Sequence, residues 1–125
     1  MDPSPLNQVV AFIQSFQLEK VVDALRALSH FPGISVSEVR GFGGHGAHPP
    51  RAGEKAEVDP FEKSIRIEIF CRSSELAGIV ETIRRVARTG HPGDGKIFVG
   101  PITLAYRIRT GESGEAAVWF PARQA

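Results

Sequence analysis

Cysteine occurs once, at Cys71, so no disulfide can form within the chain. A lone thiol fits a reducing compartment and most simply serves as a small buried apolar side chain. Net charge is almost absent: 15 basic against 14 acidic residues leave +1. That excludes a global electrostatic case for wrapping nucleic acid or lying on an anionic membrane, and no basic stripe with stacking aromatics appears. Any anion site must be local. No apolar run approaches the roughly 18 residues that span a bilayer, and Met1-Asp2-Pro3-Ser4-Pro5 lacks the basic-then-apolar order of a secretory leader. The expectation is a cytoplasmic protein with no membrane insertion and no nucleic-acid partner. No nucleophile stands beside a base either, so no enzyme activity is expected.

At 125 residues one domain is expected, with residues 1–8 as a mobile lead-in and 9–125 as the folded unit. Val9-Val10-Ala11-Phe12-Ile13 reads as a strand. Leu18, Val21, Val22, Leu25 and Leu28 recur at helical spacing, and Phe31-Pro32-Gly33 ends that helix. Ile34 to Gly41 reads as a second strand. From about 43 to 63 glycine and proline crowd a segment of little apolar content, a length at which a loop is usually functional or mobile.

Ile65, Ile67 and Ile69 alternate with Arg66 and Glu68 as in a strand with one face on a core. Ser74 is the expected N-cap of a second helix, whose stripe runs Leu76, Ile79, Val80, Ile83 and Val86 and which Gly90 closes. A strand over Ile97 to Val99, a break at Gly100-Pro101 and a strand from Ile102 to Arg109 follow. In the C-terminal segment 111–125, Val118, Trp119 and Phe120 are the residues expected to pack. The order predicts an α+β, ferredoxin-like βαββαβ fold: an antiparallel sheet with two helices on one face and a long loop between strands 2 and 3.

The most informative stretch is Thr89-Gly90-His91-Pro92-Gly93-Asp94-Gly95-Lys96. Gly93 and Gly95 allow a bend in which backbone N–H groups converge on an anion, and Lys96 adds a full charge. Arg107 and Arg109, two apart in the expected last strand, would share a face and fork onto phosphate oxygens. Because the glycines follow a helix instead of preceding one, the helix dipole gives no help. A plain helix-to-strand turn with surface basic residues is the alternative. Gly41 to Gly46 satisfies the spacing of a dinucleotide loop, but Ala47-His48-Pro49-Pro50 leaves no helix to receive a pyrophosphate. His45 and His48 are weak candidates for a metal, with a solvated loop as the ordinary reading. His30 and His91 fit turn or capping roles.

Thr89-Gly90, Gly93-Asp94-Gly95-Lys96-Ile97-Phe98-Val99 and Arg107-Ile108-Arg109-Thr110-Gly111-Glu112 together resemble the signature of the PII signal-transduction proteins. Ser35 to Gly43 is similar to the family's second strand, and Ile65 to Ile69 to its third. The resemblance implies a homotrimer that binds ATP, ADP or AMP between subunits and engages a target protein, a membrane transporter or a metabolic enzyme, through its large loop. It implies that Gly93, Asp94, Gly95 and Lys96 wrap the phosphates with Arg107 and Arg109. Ser35 and Phe70 would lie near the adenine, with Ile13 a candidate for either the adenine pocket or the core.

The chain departs from the pattern at the loop. Gly43-Gly44-His45 stands where family members carry Gly-Arg-Gln, Ser64 replaces a lysine unless Lys63 serves, and His91 replaces a basic residue. These replacements argue against a conventional response to magnesium and 2-oxoglutarate. A second expectation is therefore a PII-like sensor of bicarbonate or a transition metal. The loop has no tyrosine; the only one is Tyr106, so the family's uridylylation at that place is excluded.

Overall fold

The computed structural model describes residues 5–42 and 61–118. Four strands, β1 (Leu6–Ile13), β2 (Ser35–Gly41), β3 (Glu62–Arg72) and β4 (Gly95–Pro101), form one antiparallel sheet in the order β2-β3-β1-β4. Helix α1 (Leu18–Arg26) follows a short 3-10 turn at Ser15–Gln17, α2 (Ser73–Ala87) follows β3, and a four-residue helix α3 covers Glu115–Val118. The expected ferredoxin-like arrangement is observed.

Alternation decides which face each strand residue occupies. Val9, Ala11 and Ile13 of β1 and Ile65, Ile67, Ile69 and Cys71 of β3 are buried with Val21 and Leu25 of α1 and Ile79, Ile83 and Ala87 of α2. Both helices therefore cover one face. Burial pushes the Cys71 thiol up to about 11, helped by the charge of Glu75, so the lone cysteine is an apolar core member in its neutral form. The other face carries Val10, Phe12, Arg66, Glu68, Phe70 and Phe98. Phe12 and Phe98 meet edge to face at 6.2 Å, and the Glu68 carboxylate accepts from Gln8 at 2.7 Å and Arg66 at 3.1 Å. Phe70 and Phe98 stay substantially exposed there.

Several element ends differ from the sequence expectation. β1 starts at Leu6, so residues 6–8 belong to the strand, and the Ser73 N–H donates to the Pro5 carbonyl. β3 begins at Glu62, which shortens the loop at its far end. Helix α2 starts at Ser73 with Arg72 at its cap, and Glu75 accepts from the Arg72 backbone N–H and Nε, both at 3.2 Å. Ser74 is therefore inside the helix and is not the cap.

The largest difference is at the last strand. β4 runs unbroken from Gly95 to Pro101, and 102–109 does not join the sheet. Among the described residues its partner ends here: Pro101 pairs with Asn7, and the Ile102 N–H makes the last bond, to the Leu6 carbonyl. Leu104, Tyr106 and Ile108 keep a strand-like alternation but are all largely exposed.

Candidate functional site

The turn from α2 into β4 is closed by one side chain. Asp94 Oδ2 accepts from the backbone N–H groups of Thr89 (2.8 Å) and Gly90 (2.9 Å), and Oδ1 accepts from the Thr89 hydroxyl. The Thr89 hydroxyl oxygen accepts from the His91 N–H at 3.1 Å. These donors, the Thr89 hydroxyl and N–H foremost, hold the Asp94 carboxyl below the ordinary carboxylate range. Gln14 of the β1–α1 connection donates to the Gly93 carbonyl at 2.9 Å.

Glycine is required at the end of this turn. Gly95 has φ +110, and a Cβ there would lie 1.7 Å from the Phe12 carbonyl oxygen. Gly93 also has positive φ, at +94. The Gly93 N–H has no acceptor among the described residues, and the Asp94 N–H makes only a weak turn contact with the His91 carbonyl. Lys96 follows immediately, exposed and without an ion pair among those residues. Its Cα partner is Phe12, so it shares the open face of the sheet with that ring. A cavity of about 430 Å³ opens beside the turn, lined by Ile13, Ile83 and Ile97 together with Arg84, Arg88 and Lys96.

The other expected residues lie elsewhere. Ser35 pairs with Glu68 on the β2 edge, and Ser35, Glu68 and Phe70 line a second cavity of about 250 Å³ with Ala117 and Val118. Three strand spacings, about 14 Å, separate β2 from β4. Arg107 and Arg109 are not in a strand, and the shared face expected for them is not formed. An isolated bridge between Tyr106 and Ser113 closes a bend around them. Arg107 Nη1 donates to Glu112 at 3.2 Å and Nη2 to the Ala116 carbonyl at 3.0 Å, tying it to the segment that reaches the Ser35 cavity. Arg109 is exposed, with no ion pair among the described residues. Gly43, Gly44, His45 and His48, like Trp119 and Phe120, lie outside the described residues.

The site residues thus fall into two groups at opposite edges of one sheet: Gly93, Asp94, Gly95 and Lys96 by β4, and Ser35 and Phe70 by β2. The model of the family "Nitrogen regulatory protein P-II" matches residues 6–112. The chain belongs to the P-II family. It is 40% identical over 113 residues to the nitrogen regulatory protein P-II of Cereibacter sphaeroides, covering 90% of this chain and all of that one. The P-II homolog of Arabidopsis thaliana is 37% identical over 115 residues, 91% of this chain and 58% of that one. A crystal structure of Arabidopsis thaliana PII bound to citrate superposes with a TM-score of 0.75 at 32% identity, covering 97% of this chain and 96% of the other. PII proteins are signalling regulators, and the sheet-and-helix architecture described above is that of the PII neighbour.

Within this PII chain, periodicity missed two side chains. Ile13 is in the core, 3% exposed, whereas its neighbour Phe12 faces the open side next to Lys96. Glu68 read as the polar half of a strand, yet it lines the Ser35 cavity. The signal for both was parity: residues two apart from Ser64 and from Val10 share the open face. Parity also separates Ser64, paired with Val39 on the open face, from Lys63, paired with Arg40 on the other. Among the described residues no group of three or more His, Cys, Asp or Glu side chains could hold a metal ion, and no helix is long and apolar enough to cross a membrane.

Proposed function

We propose that this PII chain is a signalling protein that binds ATP, ADP or AMP between copies of itself and regulates a target protein through the segment joining β2 to β3. One observation carries the reading: the phosphate-type turn and the Ser35–Phe70 cavity occupy opposite edges of the sheet. Within one chain about 14 Å of the open face, carrying Phe12 and the Arg66–Glu68 ion pair, separates the two. In a closed ring of three copies, the β4 edge of one chain meets the β2 edge of the next, and each junction completes a site.

The turn fits phosphate. Among the described residues the Gly93 N–H has no acceptor, the Asp94 N–H only a weak turn contact, and the Lys96 ammonium no ion pair, so all three can offer hydrogen bonds to an anion without a helix dipole. The open face, with Val10, Phe12, Phe70 and Phe98, supplies apolar surface for packing between copies. Different nucleotides would favour different arrangements of the β2–β3 segment, shifting a population that a transporter or metabolic enzyme reads.

Calorimetric titration with ATP, ADP and AMP tests the reading. Lys96→Ala and Arg107→Ala should each weaken ATP binding at least about tenfold, a loss of roughly 1.4 kcal/mol. Unchanged affinity in both variants refutes the site. Repeating the titrations with 2-oxoglutarate, bicarbonate and divalent metals identifies the second ligand. A response to bicarbonate or a metal, with none to 2-oxoglutarate, would select the alternative sensor.

A further inference from the structure

We infer that Asp94 is a positioning residue: it clasps the glycine turn into the shape that presents its backbone N–H groups to phosphate, and does not itself bind the nucleotide. The inference rests on the nucleotide reading above and reassigns one residue within it. A carboxylate inside a phosphate cradle is a chemical contradiction unless its charge is used elsewhere. Here it is. Three of the roughly four acceptor positions of a carboxylate are taken, by the Thr89 N–H, the Gly90 N–H and the Thr89 hydroxyl.

All three donors come from Thr89 and Gly90, just past the Arg88 C-cap of α2, so the carboxylate ties the exit of the helix to the start of β4. Downstream, Gly95 is fixed against the Phe12 carbonyl. Across the turn, Gln14 holds the Gly93 carbonyl. What remains between these ties is the Gly93-Asp94 backbone, where the Gly93 N–H has no acceptor among the described residues and the Asp94 N–H only a weak turn contact with the His91 carbonyl. The turn is therefore organised around Asp94 from the inside, leaving its outer surface to the anion. Thr89 shares the task, because its hydroxyl donates to Asp94 and accepts from His91.

The test is calorimetry on the full chain with ATP, ADP and AMP, with magnesium and again with EDTA, for wild type, Asp94→Ala, Asp94→Asn, Thr89→Val and the Asp94→Ala/Thr89→Val double variant. Asp94→Ala should weaken ATP about tenfold or more, ADP less and AMP least, because the disturbed N–H groups serve the phosphate chain. Thr89→Val should give a smaller loss of the same pattern and cost nothing further when added to Asp94→Ala, the mark of two groups acting as one. Asp94→Asn, which keeps one carbonyl acceptor, should fall between. If Asp94→Ala does not fold, Asp94→Asn and Thr89→Val carry the comparison.

Equal losses for all three nucleotides, or a loss confined to magnesium, would overturn the inference in favour of a direct contact or a metal ligand. ATP affinity untouched by Asp94→Ala but lost in Lys96→Ala would overturn the positioning role alone. Absence of any wild-type binding would overturn the nucleotide reading and the positioning role together.

Discussion

The two edges of the sheet are built on opposite plans. At the β4 edge the turn is tied to three other parts of the fold: to the end of α2 through Asp94, to the β1–α1 connection through Gln14, and to the β1 backbone through Gly95. At the β2 edge the arginine-bearing segment carries several bonds between its own residues. Arg107 N–H donates to the Glu112 carbonyl, Gly111 N–H to Arg107, Gly114 N–H to Ala105, and the Arg107 side chain to Glu112 and Ala116. A shape fixed by several elements costs little to order when a ligand arrives. The lesson is a difference in anchoring: a turn held by three elements on one edge, and on the other a bend that holds Arg107 through Glu112 and Ala116.

Replacing glycine should break this comparison most visibly. Gly95→Ala puts a Cβ 1.7 Å from the Phe12 oxygen at φ +110, so urea unfolding should show a loss of about 3 kcal/mol or more, or no folded protein. Gly111→Ala on the other edge, at φ +74 with nothing within 4 Å, should cost only about 1–2 kcal/mol. Equal costs would erase the distinction between the edges.

Mixing is the next largest effect. Lys96→Ala and Arg107→Ala chains unfolded and refolded together should regain about a quarter of the wild-type nucleotide sites, because that fraction of junctions in a closed ring pairs two intact edges. No recovery would place both groups of residues within a single chain's site.

The smallest effect is the response to acid. The Asp94 pKa is lowered on folding, so its contribution is present above the unfolded carboxylate value of 3.8 and is lost as pH falls through the folded value. Amide exchange at Thr89 and Gly90, corrected for intrinsic rates, should accelerate across that window. Exchange at Arg107 and Gly111, whose acceptors are backbone carbonyls, should not. A matching response on both edges would show that the carboxylate is not what holds the turn.

Much of this architecture was legible in the chain. The two apolar stripes, the alternation over Ile65 to Ile69 and the glycine spacing at 93 and 95 each express a local rule, periodicity or positive φ, that neighbours in sequence suffice to reveal. The 102–109 segment was misread for the converse reason. Leu104, Tyr106 and Ile108 alternate as a strand would, but a strand needs a partner, and among the described residues the β1–β4 pairing ends with the Ile102 bond to Leu6. The clasp made by Asp94 was not legible, because its neighbours in sequence are glycines and a lysine while its hydrogen bonds run back to Thr89 and Gly90.

By itself, then, the sequence determined the fold class, the βαββαβ order and the kinds of side chain available for an anion, since these follow from spacing along one chain. Only the tertiary structure decided where those side chains stand. The strand order β2-β3-β1-β4 sends Ser35 and Lys96 to opposite edges. That order depends on contacts between residues far apart in the chain, which no local pattern encodes.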